Sequence, residues 1–176
     1  MSITHNEVAT RWLQQNTSDV HVDYVVKRGH HMFYEGETIY SYGYHFPIAT
    51  FRDGIILFNA DGYSVSTQRH KRIVRHALYR NNLNKTVFTL PHALWNNEHA
   101  LSIVFYKDKI ENAVACWRRA RRYKTSNMRN AAFYLQEFKT YCDFHKLNLN
   151  RILKRDGTLA TAVAVIALNP VPATEY

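Results

Sequence analysis

The sequence predicts an α+β fold: an N-terminal antiparallel β-meander, followed by a basic helix and a C-terminal antiparallel helical hairpin. Three observations carry that expectation. Between about residues 20 and 66, short apolar stretches alternate with a period of two and are punctuated by Asp53-Gly54 and Asp61-Gly62, both strong turn signals. The next stretch, STQRHKRIVRHALYR, changes to helical spacing. Two longer segments on either side of the polar break KTSN then repeat apolar residues three and four apart, the mark of two helices folded back on each other.

Taken in order, residues 5 to 16 read as a short helix anchored by Val8 and Trp12, one turn apart. VHVDYVV, HMFY, TIYSY, HFPIATF and IILF follow as strands, separated by EGE, YGY and RDG and closed by ADG. Pro47 cannot donate to a ladder, so its strand is expected at an edge or at a bulge. Ser66 or Thr67 is placed to cap the next helix, which runs to about Tyr79 and stops at NNLN. Its apolar stripe is Ile73, Val74, Ala77 and Leu78. Residues 86 to 106 admit two readings: TVFTL has the composition of a strand, and LSIVFY suits either a strand or a buried helical segment. The first hairpin helix, over 107–123, places Ile110, Ala113, Val114, Trp117 and Arg121 on one face. The second carries Met128, Ala132, Leu135, Phe138, Cys142 and His145. The tail DGTLATAVAVIALNP adds a strand or short helix. The whole is expected to form a single compact domain spanning 1–176, β-rich over about 20–66 and helical over about 67–155.

With 46% hydrophobic and 14% aromatic residues, the chain is not disordered, and its length allows a core that needs no metal or disulfide. Cys116 and Cys142 form no CxxC pair and read as free thiols in a reducing compartment. The longest apolar run, LATAVAVIAL, falls short of the ~20 residues that cross a bilayer. The start, MSITHNEVATRW, has no charged segment leading into an apolar run, so a soluble, cytoplasmic protein without a signal peptide or membrane contact is expected.

Charge gives the strongest functional signal. Lys and Arg total 23 against 14 acids, a net charge of +9, which favours a polyanionic partner. The excess is also segregated. No acid occurs between Asp61 and Glu98, a window holding Arg69, Lys71, Arg72, Arg75, Arg80 and Lys85. None occurs between Glu111 and Glu137, which holds Arg118, Arg119, Arg121, Arg122, Lys124 and Arg129. On the basic helix, Arg69, Arg72, His76 and Arg80 follow one side at helical spacing, with Lys71, Arg75 and Tyr79 beside them. A merely solvated face usually mixes signs, and this one carries no acid. In CWRRARRYK, cations near the end of a helix suit its carbonyl-rich terminus, yet five in seven positions exceed that need. Trp117 and Tyr123 flank them, a composition suited to stacking on exposed bases.

The ten histidines point to no enzyme template: HExxH, paired CxxC, a glycine-lysine phosphate loop and GxSxG are all missing. Cys142 and His145 have CxxH spacing but share an apolar stripe, where packing explains them. His30 and His31 alternate across a strand and face opposite sides. His70 and His76 lie six apart and do not share a helical face, which leaves only a site assembled from His70, His45 and a tyrosine of the sheet as a catalytic option. Neither a metal nor a cofactor is expected.

YSYGYHFPIA (40–49), NADGYSVSTQRH (59–70) and RRARRYK (118–124) together resemble parts of small accessory proteins carried by tailed bacteriophages and related mobile elements, over roughly residues 30 to 145. That resemblance brings no catalytic residues. It implies a protein acting in the cytoplasm of a bacterial host on nucleic acid, on host machinery or on a defence system. The leading expectation is a non-enzymatic nucleic-acid-binding protein using Arg69, Lys71, Arg72, Arg75, Arg80, Arg118, Arg119, Arg121, Arg122 and Lys124. The alternative is a protein-binding inhibitor, anti-CRISPR-like, docking on an acidic groove of a host complex with the Tyr-rich strands as anchors.

Overall fold

The structure, a computed structural model, describes residues 4–15, 31–81, 85–96 and 98–171. Strand expectations on 20–30, including VHVDYVV, and the placement of His30 lie outside these residues. Mixed α and β structure divides into two units, Met1–Asn96 and Asn97–Tyr176. The division does not fall near residue 66, where the sequence pattern changes from β-rich to helical. The basic helix belongs with the strands.

In the first unit, α1 (His5–Gln15) precedes β1 (Met32–Glu35), β2 (Thr38–Ser41), β3 (Pro47–Arg52) and β4 (Ile55–Asn59). These four strands form the expected antiparallel meander. Asp53 and Gly54 both take positive φ, 50° and 81°, the mirror-image turn whose twist suits a two-residue hairpin, and they join β3 to β4. Pro47 is the first residue of a central strand. Tyr40 pairs with Pro47 and Ile39 with Ala49, so Ile48 is an extra residue and the expected bulge is present. The Pro47 carbonyl accepts a hydrogen bond from Asn59 Nδ2 at 2.8 Å.

Asp61-Gly62 does not close a hairpin. Asn59 Oδ1 accepts from the Asp61 amide at 2.8 Å, and the chain enters α2 (Val65–Arg80). The helix cap is Ser64 rather than Ser66 or Thr67; its hydroxyl accepts from the Thr67 amide at 3.1 Å. After α2, β5 (Val87–Leu90) returns parallel to β4, pairing Ile56 with Val87 and Asn59 with Leu90. The sheet is therefore mixed, and α2 is its crossover. The core gathers Val8, Trp12 and Leu13 of α1, Val74, Ala77 and Leu78 of α2, and Ile39, Phe51, Ile56 and Phe58 of the sheet. Trp12 lies beside Phe51 at 4.8 Å and donates its indole N–H to the Glu37 carbonyl at 2.9 Å. Burying a side chain of this size stabilises by roughly 1.5–3 kcal/mol, which is why Trp12 and Phe58 anchor the packing.

The second unit is helical: α3 (His99–Arg119), α4 (Lys124–Phe144), α5 (Leu149–Arg155) and α6 (Gly157–Leu168). α3 and α4 pack on each other across a connector of residues 120–123. The ambiguous LSIVFY is helical and lies in the first half of α3; Ser102, Tyr106, Ile110 and Val114 form its buried stripe at four-residue spacing. Arg121, expected on that face, lies beyond the helix and is exposed. On α4 the buried stripe is Met128, Ala131, Leu135, Phe138 and Cys142; Ala131 replaces the expected Ala132, and His145 is the C-cap. The tail is helix α6, which inserts Leu159, Ala162 and Ile166. Asp156 caps it by accepting from the Leu159 amide at 3.1 Å, and the Lys107 ammonium of α3 lies 2.6 Å from the same carboxylate. These interactions hold the Asp156 carboxyl down to about 2, led by the Lys107 hydrogen bond.

Candidate functional site

On α2, side chains at 67, 70, 71, 74, 77 and 78 turn inward, so the opposite side presents Arg69, Arg72, Arg75, His76, Tyr79 and Arg80 to solvent. Lys71 is a correction to the expected surface. It is only 7% exposed, and its ammonium donates to the Asp61 carbonyl at 2.6 Å while lying 5.8 Å from the Phe58 ring centre. Burial, with the Arg75 guanidinium close by, holds that ammonium below the usual lysine range. Its physical role is to close the loop that leads into α2. Arg75 remains exposed but lays its guanidinium 4.5 Å above the Phe58 ring centre, a cation–π contact that restrains it.

His70 also faces inward. It is 3% exposed, with Nδ1 2.8 Å from the Ser41 hydroxyl, which in turn donates to Thr67 at 3.3 Å. His5 stands edge-on at 4.6 Å, and Tyr42, itself stacked with His31 at 4.5 Å, lies at 5.3 Å. Burial first, and the neighbouring His5, His31 and Arg69 after it, lower His70 to about 4. The imidazole is thus enclosed, neutral near pH 7 and part of a chain of hydroxyls. The His45 ring meets Tyr63 at 5.9 Å. Of the groups expected to meet at His70, Tyr42 approaches it.

The second cationic cluster surrounds the turn between α3 and α4. Arg118 and Arg119 occupy the last turn of α3, where the carbonyl end of the helix favours them; Arg119 Nε donates to the Ala115 carbonyl at 3.3 Å. Arg121 and Arg122 lie in the connector, and Lys124 is the first residue of α4. All five are exposed. Lys124 approaches the half-buried Trp117 ring at 5.7 Å. Among the described residues, no carboxylate pairs with any of these five cations.

Helix ends divide the cluster into two electrostatic environments. Arg121, Arg122 and Lys124 adjoin the N-terminal end of a 21-residue helix whose first turn has no acid and whose cap offers no side-chain acceptor. A cation beside a helix N-terminus is disfavoured, by about 0.3–1 kcal/mol each at the surface. Tyr123 is that cap. It adopts left-handed backbone geometry, φ 60° and ψ 23°, uncommon for a residue with a side chain, and its ring is 79% exposed. The sequence pattern assigns the whole cluster to one helix end because it carries the first helix on to Tyr123, four residues beyond Arg119.

Cys142 is buried and its thiol is pushed up to about 11 by burial, which leaves it protonated near neutrality. The His145 ring packs on His99 at 4.5 Å and Tyr141 at 4.4 Å, and His99 Nδ1 lies 2.8 Å from the Tyr141 hydroxyl. Among the described residues, no group of three or more His, Cys, Asp or Glu side chains is arranged to hold a metal ion, and no helix is long and apolar enough to cross a membrane. Comparisons with protein-family models, curated proteins and solved structures give no match.

Proposed function

We propose that this protein binds nucleic acid, without chemistry of its own, through the α3–α4 turn and, separately, through the solvent face of α2. Arg118, Arg119, Arg121, Arg122 and Lys124 form the principal contact; Arg69, Arg72, Arg75 and Arg80 form the second. Lys71 has no part in it. The observation that carries this reading is the position of Arg121, Arg122 and Lys124 at the amide-rich end of α4, with no carboxylate to balance them. A phosphate there meets guanidinium groups and unpaired helical N–H groups together, and charge-assisted hydrogen bonds to both favour it. Arrangements that raise the energy of the free protein are relieved by an anion.

The test is the salt dependence of binding to labelled oligonucleotides. Affinity should fall linearly with salt on logarithmic axes, by a slope of roughly 0.7–0.9 per phosphate contacted. Glutamate at Arg118, Arg119, Arg121 and Arg122 should flatten that slope. No detectable binding of any probe at ~50 mM salt sinks the proposal.

The exposed rings of Tyr42, Tyr44 and Tyr63 in the first unit favour a second reading, in which aromatic anchors and cations dock on an acidic protein, as an inhibitor of a defence or nucleic-acid-handling complex. A partner retained from bacterial lysate after nuclease treatment, and lost when Tyr44 and Tyr63 are changed to Ala, distinguishes that case.

A further inference from the structure

Each cationic surface carries one well-exposed tyrosine, Tyr79 beside Arg80 at the C-terminal end of α2 and Tyr123 at the α3–α4 turn. Tyr79 lies one turn after Arg75 and His76 on α2 and is 72% exposed. Tyr123 stands between Arg122 and Lys124 and is 79% exposed. Among the described residues, neither packs on another aromatic ring. The contrast is with Phe33, Tyr40 and Tyr44, whose rings meet one another at 5.1–5.2 Å.

We infer that the nucleic acid taken by these surfaces is single-stranded, its phosphates held by the arginines and its bases stacked on Tyr79 and Tyr123. This rests on the nucleic-acid reading above and narrows it. A duplex offers phosphates and base edges but keeps its base faces stacked on each other. An exposed ring surrounded by cations gains little there. A single strand offers both the charge and the π-face, and stacking on an aromatic side chain tolerates any base. Backbone geometry at Tyr123 points the same way. Glycine or asparagine occupies a left-handed position at less cost, so this turn does not call for a tyrosine on conformational grounds.

The experiment measures fluorescence anisotropy with three probes of equal length, ~20 nucleotides: oligo(dT), oligo(U) and a mixed-sequence DNA duplex at ~50 mM salt. The single strands should bind more tightly than the duplex, and the dT and U arms report whether DNA or RNA is preferred. Tyr79→Ala and Tyr123→Ala should each weaken single-strand binding about tenfold and leave duplex binding nearly unchanged. Tyr79→Phe and Tyr123→Phe keep the ring and should retain affinity. Both sites are exposed, so thermal unfolding should be unaltered within error.

If the duplex binds more tightly, or the alanine variants bind single strands normally while the arginine reversals do not, the single-strand inference is wrong and the nucleic-acid reading stands. If all three probes fail to bind, both fall together.

Discussion

The helix α2 and the α3–α4 turn carry similar charge in sequence, yet the fold treats them differently. α2 is docked along its whole length, and docking divides its cations: Lys71 is drawn under the helix to close a loop, Arg75 is laid across Phe58, and Arg69, Arg72 and Arg80 remain outward. At the turn all five cations stay exposed, with Arg119 held to the Ala115 carbonyl and Lys124 near Trp117, and three adjoin a helix end that disfavours them. Charge on the packed helix is partly taken up by the fold, whereas charge at the turn stays at the surface. A cluster counted in sequence does not distinguish the two.

The sharpest way to break this contrast is charge reversal. Arg118, Arg119, Arg121 and Arg122 changed to Glu should weaken oligonucleotide binding on the order of 100-fold to 1,000-fold at ~50 mM salt and lower the salt slope by about 3–4. Arg69 and Arg72 changed to Glu should cost nearer tenfold, about 1.4 kcal/mol. Equal losses would mean that the two surfaces share the load and that docking does not set α2 apart from the turn.

Lys71 should behave in the opposite sense. Lys71→Glu places a carboxylate against the Asp61 carbonyl that the buried ammonium now meets, and should destabilise the first unit by roughly 3 kcal/mol or more. Lys71→Met keeps the aliphatic stem and should lose about half as much. Denaturant midpoints measure both, and binding per folded molecule should be unchanged.

Acid separates the units as well. His70 falls from 6.5 in the unfolded chain to about 4 when folded, with burial the leading cause, so folding favours its neutral form. Its contribution is complete above pH 6.5 and is lost as pH falls through the interval to 4, reaching roughly 3 kcal/mol below it. Protonation would also set His70 against His5, His31 and Arg69. Denaturation followed through Trp12, with Trp95 and Trp117 changed to Phe, should show this loss between pH 7 and 4.5. His70→Asn should reduce it; an unchanged profile would remove His70 as the cause.

The smallest effect is a gain. Arg122→Glu puts a carboxylate at the N-terminal end of α4 and should stabilise the second unit by about 0.3–1 kcal/mol while weakening oligonucleotide binding. Thermal unfolding and anisotropy on the same variant test the two halves together.

Local features were the legible ones. Asp53-Gly54 announced the β3–β4 turn, Pro47 its bulge, and TVFTL the fifth strand, because each signal acts within a few residues. The parallel pairing of β5 was not legible, since it joins residues on either side of a helix and leaves no periodicity of its own. Lys71 was readable in principle: it stands three before Val74 and seven before Leu78, on the inward stripe, but its charge argued for the surface. The cations of the turn were visible as a group. Their division between two helix ends depends on α3 stopping at Arg119, a boundary set by packing rather than by composition.

The crossover through α2 also orders events in time. β1 to β4 meet through short connections and can zip up from neighbouring residues, whereas Ile56 reaches Val87 only after all of α2 has been spanned. Local ladders close early and distant ones late. During synthesis, the partners that α2 packs against, α1 and the strands of the meander, all precede it, so its arginines take their helical spacing before residues 87–90 arrive to complete the sheet.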